Sequence, residues 1–271
     1  MLPNTVLVMN GKGGVAKTSL VANLAGLAAH SGWRTLAIDT DPQGNLARDV
    51  GRINDTDDGH NLTAAILGRV PLQPMRDVRP GLDLVPGGAH LDTIPAEIQT
   101  FLARGHSLTA LGGLDTALRT LAGEYDLIVI DSPPGERLLQ TLVARAACSR
   151  VVPTAPDDCS IDGLAAVFDH VRQLQTDGAN PDLAILGVAL TLTVTSASAV
   201  RRRVCDQLHR LLGDVTVFDN TIRFAQAAAV DCRRTGRLAH EYEADAQAGP
   251  TWWQRRQAPS DAPAYSAAAG S

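Results

Sequence analysis

Lysine is almost absent. The 271 residues carry 24 lysines and arginines, and only Lys12 and Lys17 are lysine. Arginine therefore serves as the general surface cation. Both lysines sit in one loop, where a compact ammonium on a flexible stem does what a planar guanidinium does poorly. Cysteine is scarce as well. Cys148, Cys159, Cys205 and Cys232 are scattered, with no CxxC pair and no metal-ligand spacing, which leaves reduced, partly buried thiols. No apolar run approaches the roughly 20 residues that span a bilayer. The N-terminus lacks the basic n-region and cleavage site of a signal peptide. A cytoplasmic protein is expected, in which the formal sequon Asn61-Leu62-Thr63 carries no meaning. Excess positive charge is also missing. The formal charge is −5, so any nucleic-acid contact must come from a local patch.

What is present is the composition of a globular chain, 45% hydrophobic and 20% charged, long enough for one α/β domain with a tail. Short apolar runs at 5–9, 35–38, 82–85, 127–130, 150–154, 183–194 and 215–218 read as strands. Helix-compatible stretches fall between them, at 18–30, 62–67, 94–102, 108–121, 138–147 and 161–174. Leu20, Leu24 and Leu27 mark one face of the first helix. Val200, Val204, Leu208 and Leu211 mark a stripe on a later one, with Arg201, Arg202 and Arg203 on its exposed side. This alternation predicts a doubly wound α/β fold, a mostly parallel sheet with helices on both faces. The domain is expected over 1–248, with a disordered-tail composition over 249–271.

The loop between the first strand and first helix reads Gly11-Lys12-Gly13-Gly14-Val15-Ala16-Lys17-Thr18-Ser19. Its glycines let backbone N–H groups cradle a phosphate at a helix N-terminus. Lys17 would reach the β- and γ-phosphates and the Thr18 hydroxyl would ligate Mg²⁺. Ala16 stands where a glycine is usual, which restricts the backbone slightly. Gly11-x-Gly13-x-x-Ala16 with Asp39 downstream also fits a dinucleotide fingerprint. Lys17-Thr18 argues against it, because a triphosphate with Mg²⁺ needs both groups and a dinucleotide needs neither. Asp131 ends the clearest strand, where a carboxylate beside the loop can hold Mg²⁺, and Pro133-Pro134 stiffens the backbone just after it. Asp39 and Asp41 flank Thr40 and point the same way, suiting a metal contact and the positioning of a water.

These residues resemble the ParA/MinD group of deviant Walker A ATPases, most of all its ParA side. Lys12 to Ser19 matches K-G-G-x-x-K-[ST]-[ST]. Asp39-Thr40-Asp41-Pro42-Gln43-Gly44-Asn45 matches D-x-D-P-Q-G-N, and Leu127 to Pro134 matches the Walker B segment. Further similarity at 61–68, 81–91, 152–164 and 219–243 extends the resemblance over about 4–245. The resemblance implies ATP and Mg²⁺ as cofactors and slow ATP hydrolysis. It implies Lys12 as a signature lysine reaching the partner's phosphates in a nucleotide-sandwich homodimer, Lys17 as the P-loop lysine, Thr18 as the Mg²⁺ ligand and Asp41 as the aspartate needed for hydrolysis. It implies nonspecific DNA binding, nucleoid association and a ParB-type centromere-binding protein that stimulates hydrolysis, in service of plasmid or chromosome partitioning.

From Val200 to Arg237, eight arginines face four aspartates. A local basic surface including Arg201, Arg202, Arg203, Arg223, Arg233 and Arg234 could touch phosphates without reading sequence. Phe224 to Val230 is uncharged where the family commonly has more basic residues. A MinD-like membrane role would need a basic amphipathic C-terminal helix. Trp252, Trp253, Arg255 and Arg256 have little room for one between Pro250 and Pro259, so no membrane partner is expected. No cysteine sits just after the Walker B strand, which disfavours an Fe–S relative. An amidoligase of the same superfamily would need a substrate pocket that no motif marks.

Overall fold

A computed structural model describes residues 2–105, 113–135, 137–194 and 198–248. β1 (Thr5–Val8), β2 (Thr35–Asp39), β4 (Leu82–Val85), β5 (Leu127–Asp131), β6 (Ser149–Thr154) and β7 (Ala184–Leu190) pair in parallel. β3 (Met75–Arg79) joins β4 antiparallel at one edge, giving the order β3-β4-β2-β5-β1-β6-β7. β2 is buried along its whole length and β5 in all but its first residue, as parallel strands covered on both faces must be. β1 is central, and the chain leaves it first toward β2 and later toward β6. In such sheets ligands bind beyond the carboxyl ends of the strands at this reversal.

Helices α1 (Lys17–His30), α2 (Asn45–Asp49), α3 (His60–Ile66), α4 (Ile94–Ala103), α5 (Gly113–Arg119), α6 (Arg137–Ala146), α7 (Asp158–Thr176), α8 (Ser198–Leu212), α9 (Gln226–Thr235) and α10 (Ala239–Ala248) complete the described chain. One apolar cluster joins Leu7, Ile38 and Ile130 of the sheet to α3, α4, α5 and α6. A second joins Val8, Ala37 and Val129 to α1 and α2 on the other face. A third, with Val152, Leu164, Val188 and Leu208, lies under α7 and α8.

Several expected details are corrected. The buried face of α1 is Val21, Ala22, Ala25, Gly26 and Ala29, while Leu27 is exposed. Small side chains let the helix approach the sheet, and the leucines flank that contact. On α8 the core positions are Val204, Leu208 and, partly, Leu212, and Leu211 is exposed. A spacing of four keeps the first three on one side. The segment 215–218 forms a single bridge, Val188 to Val217, rather than a strand. Later bonds from Ile222 to Leu190 and from Thr193 to Ile222 show the register jumping, which leaves Asp219 to Thr221 out of the ladder. β3 is missing from the apolar pattern because it is a polar edge strand with a register shift, carrying Arg76 and Arg79. The tail over 249–271, the start of the 108–121 stretch and the side chain of Arg201 lie outside the described residues.

Candidate functional site

The Gly11–Ser19 loop, Asp39, Asp41 and Asp131 come together at the carboxyl end of the central strands. Strand register sets this. Val8 lies opposite Asp131 and Asp39 lies opposite Asp131, so β1, β5 and β2 deliver the loop and both carboxylates side by side. The Thr40 hydroxyl donates to the Asp131 carbonyl at 2.5 Å and fastens the two strand ends.

The loop is tied down on both sides. Asn10 donates to the Pro153 carbonyl at 2.8 Å and accepts from the Lys12 N–H at 2.9 Å. Thr191, just past β7, donates to the Val15 carbonyl at 3.1 Å. Ala16 precedes α1 in a left-handed conformation (φ 59°), and no side chain caps the helix. The first N–H groups of α1 therefore have no side-chain partner and no acidic residue in the first turn, the arrangement that suits an anion.

The two lysines take different directions. Lys17 is buried and folds under the loop, donating to the Lys12 carbonyl at 3.0 Å. Burial lowers its pKa, opposed by Asp131 and Asp41. Lys12 turns outward to Asp157 Oδ1 and Ser160 Oγ, both at 2.8 Å, at the N-terminus of α7. Asp157 caps that helix by accepting from the Ser160 N–H at 2.8 Å, and the Lys12 bond followed by the Ser160 hydroxyl holds its carboxyl below the usual range. Asp157 and Ser160 were not singled out in the sequence. Their signal is an ordinary helix cap, Asp-x-x-Ser, whose second use shows only when Lys12 lands on it.

The carboxylates are only partly compensated. Asp39 is fully buried, accepting from the Asp41 and Leu46 N–H groups at 2.9 Å each. Burial nevertheless pushes its pKa up to about 7, with the Asp41 and Asp49 charges adding to the rise. Asp131 is fully buried, and neither of its oxygens has a hydrogen bond of good geometry. Burial, then Asp39, raises its pKa well above the ordinary value, and neighbouring Thr18 and Lys17 only partly oppose this. Orphaned hard oxygens beside a threonine hydroxyl fit Mg²⁺ in ligand type and charge. Asp41 accepts from the Gln43 N–H at 2.9 Å. Gly87 packs against this turn so closely that a Cβ would lie 2.6 Å from the Asp41 carbonyl and 2.9 Å from Asp39 Cγ. It fixes this turn by close approach, a role that the family similarity over 81–91 did not single out.

The loop and two strand-end acids decide the class once sequence relatives are set beside them. A family model described as an AAA domain matches residues 4–185. The chromosome partitioning protein ParA of Myxococcus xanthus is 33% identical over 207 residues, covering 73% of this chain and 68% of that protein. This chain belongs to the ParA/MinD-type ATPase family. The chromosome-partitioning ATPase Soj of Thermus thermophilus is 30% identical, over 82% of this chain and 83% of its own. Among solved structures, apo McdA of Cyanothece superposes with a TM-score of 0.75 at 21% identity, covering 89% of this chain and 94% of its own, a likeness of fold. Cobyrinic acid a,c-diamide synthase of Mycobacterium smegmatis, with ADP and magnesium bound, superposes at 0.71 with 26% identity, covering 92% and 98%.

In this ParA/MinD-type chain the candidate DNA arginines divide. Arg202 and Arg203 on α8 and Arg223 beyond β7 are exposed, without an ion pair among the described residues. Arg233 on α9 instead turns to α2, donating to Asn45 Oδ1 and lying 3.7 Å from Asp49 Oδ1. Arg234 pairs with Asp231 at 3.4 Å. Asn45 ends the D-x-D-P-Q-G-N segment and Asp39 accepts from the Leu46 N–H of α2, so α9 is tied to the Asp39–Asn45 turn through a five-residue helix. No helix among the described residues is long and apolar enough to cross a membrane.

Proposed function

We propose that this ATPase uses ATP and Mg²⁺ to close into a sandwich homodimer, holds DNA nonspecifically in that state, and drives plasmid or chromosome partitioning with a ParB-type partner that stimulates hydrolysis. The ATPase domain occupies 1–248, and 249–271 is a tail. The loop N–H groups of Gly11 to Ser19 cradle the phosphates, and Lys17 neutralises the β- and γ-oxygens. Thr18, Asp131 and Asp39 would hold Mg²⁺, which would offset the negative charge of the phosphates. Asp41 orients the attacking water. Lys12 of each protomer reaches the phosphates held by the other, where a second ammonium stabilises the transition state as an arginine finger does.

The observation that carries this reading is the outward course of Lys12. Its ammonium is drawn away from its own loop and held at the rim by Asp157 and Ser160, with its side chain 39% exposed. An ammonium held at the rim is placed to meet a phosphate outside its own loop. An exposed ion pair of this kind contributes about 0–1 kcal/mol, so it yields readily to a partner's triphosphate. Family likeness supports the DNA and ParB steps, as do the exposed Arg202, Arg203 and Arg223. Co-sedimentation with plasmid DNA, with and without ATP, is the test. Retention on DNA only with ATP is expected. Flotation with anionic liposomes and no retention on DNA would replace this reading with a MinD-like one.

A further inference from the structure

The largest fully buried side chain among the described residues is a cation. Arg150 is 0% exposed and lies on β6 opposite Leu7 of β1. Leu7 belongs to the cluster beneath α6, and Val152, two residues along β6, belongs to the one beneath α7 and α8. The guanidinium therefore enters the seam between two apolar clusters. Its Nε and Nη1 have no hydrogen-bond partner, and no carboxylate pairs with it among the described residues. Burial pulls its pKa down to about 10, which still leaves it charged at neutral pH. A buried charge without a partner is among the least favourable arrangements a protein can hold.

The seam's other polar groups are donors or neutral. His170 of α7 is buried, with Nε2 3.1 Å from Thr141 Oγ1 on α6. Burial, then the charges of Arg150 and Arg137, holds the imidazole at a pKa of about 4, so it is neutral. At the surface Arg137 Nη2 donates to Gln173 Oε1 at 3.0 Å, bridging α6 and α7 above them. The acid on the middle of α7, Asp169, is exposed and pairs with Arg172 at 3.4 Å.

We propose that the seam between β6, α6 and α7 binds a small monovalent inorganic anion of chloride's class, taken up by Arg150 Nε and Nη1. The size follows from burial. A side chain with no exposed surface, covered by two packed helices, excludes phosphate esters and nucleotides. The charge follows from the one buried guanidinium, whose neighbours in the seam are neutral: the His170 imidazole lies 3.1 Å from the Thr141 hydroxyl, which donates to the Arg137 carbonyl at 2.8 Å. The anion supplies the counter-charge that the described side chains do not, and it is independent of the nucleotide site.

Thermal unfolding of the nucleotide-free full chain in sodium chloride and in sodium gluconate at equal ionic strength tests this. In the wild type, Tm rises with the logarithm of chloride concentration relative to gluconate, as mass action requires, and bromide substitutes for chloride. Arg150→Met removes that difference. Equal behaviour of the wild type in the two salts, or an undiminished chloride response in Arg150→Met, overturns the proposal. If Arg150→Met does not fold, wild-type crystals grown in bromide decide. An anomalous peak at Arg150 supports the site, and its absence overturns it.

Discussion

Asp131 brings an ionisable carboxyl into the interior with neither oxygen properly hydrogen-bonded, beside a second buried acid, Asp39. Such a group weakens the empty protein and is useful only when a cation arrives. Asp131→Asn is therefore expected to raise the stability of the metal-free chain by about 1–2 kcal/mol, read as a higher Tm, and to abolish the further rise that Mg²⁺ with ATP gives the wild type. Ala16 is the opposite case, a residue whose backbone is held left-handed at φ 59° without the glycine that would relax it. Ala16→Gly should leave nucleotide binding intact and stabilise the chain by up to about 1 kcal/mol, seen in the urea midpoint. His170 is buried with a pKa near 4, below the ordinary 6.5. The unfolded chain takes up that proton first, so stability present above about pH 6.5 is lost as pH falls toward 4. In gluconate buffer, His170→Gln should flatten the fall in urea midpoint between pH 7 and pH 5. Loop residues 11–19, Asp39, Asp41 and Asp131 were legible in sequence because phosphate and metal chemistry demands fixed residue types at fixed spacings. Asp157, Ser160 and Gly87 were not, because caps and close glycines look alike wherever they occur.

α2 and α9 form the element-scale link between the Asp39–Asn45 turn and the arginines of α9. Arg233 is committed to Asn45 and Asp49, and its loss leaves partly buried Asp49, whose pKa burial already raises, without its main cationic neighbour. Arg233→Ala should cost about 1 kcal/mol of stability and alter how DNA binding responds to ATP, while changing the salt dependence little. Arg202→Ala with Arg203→Ala should do the reverse. At about 0.9 per phosphate contact, the slope of log affinity against log salt should fall by roughly 2, measured by DNA binding with ATP from 50 to 200 mM salt. α9, α10 and β3 were not assigned from the sequence. α9 has no buried residue and β3 is an edge strand, so neither carries the apolar period that marks a buried element. The central strands did, because both of their faces are covered.

At the scale of the molecule, the order β3-β4-β2-β5-β1-β6-β7 places the glycine loop, Asp39, Asp41 and Asp131 at one rim of the sheet. The strand alternation announced that doubly wound sheet, whereas its strand order depends on pairings far apart in sequence that no local pattern encodes. The same fold serves a cobyrinic acid diamide synthase and McdA, so architecture alone does not distinguish a synthetase from a partitioning ATPase. The feature of this chain that the account rests on is a pair of lysines, one folded inward and one held outward at the rim by α7. The most direct measurement is the mass in solution, by analytical ultracentrifugation, of wild type and Lys12→Ala with Mg²⁺ and a nonhydrolysable ATP analogue. The account predicts a nucleotide-dependent dimer for the wild type and a nucleotide-bound monomer for Lys12→Ala. A Lys12→Ala protein that dimerises with the analogue as the wild type does would contradict it.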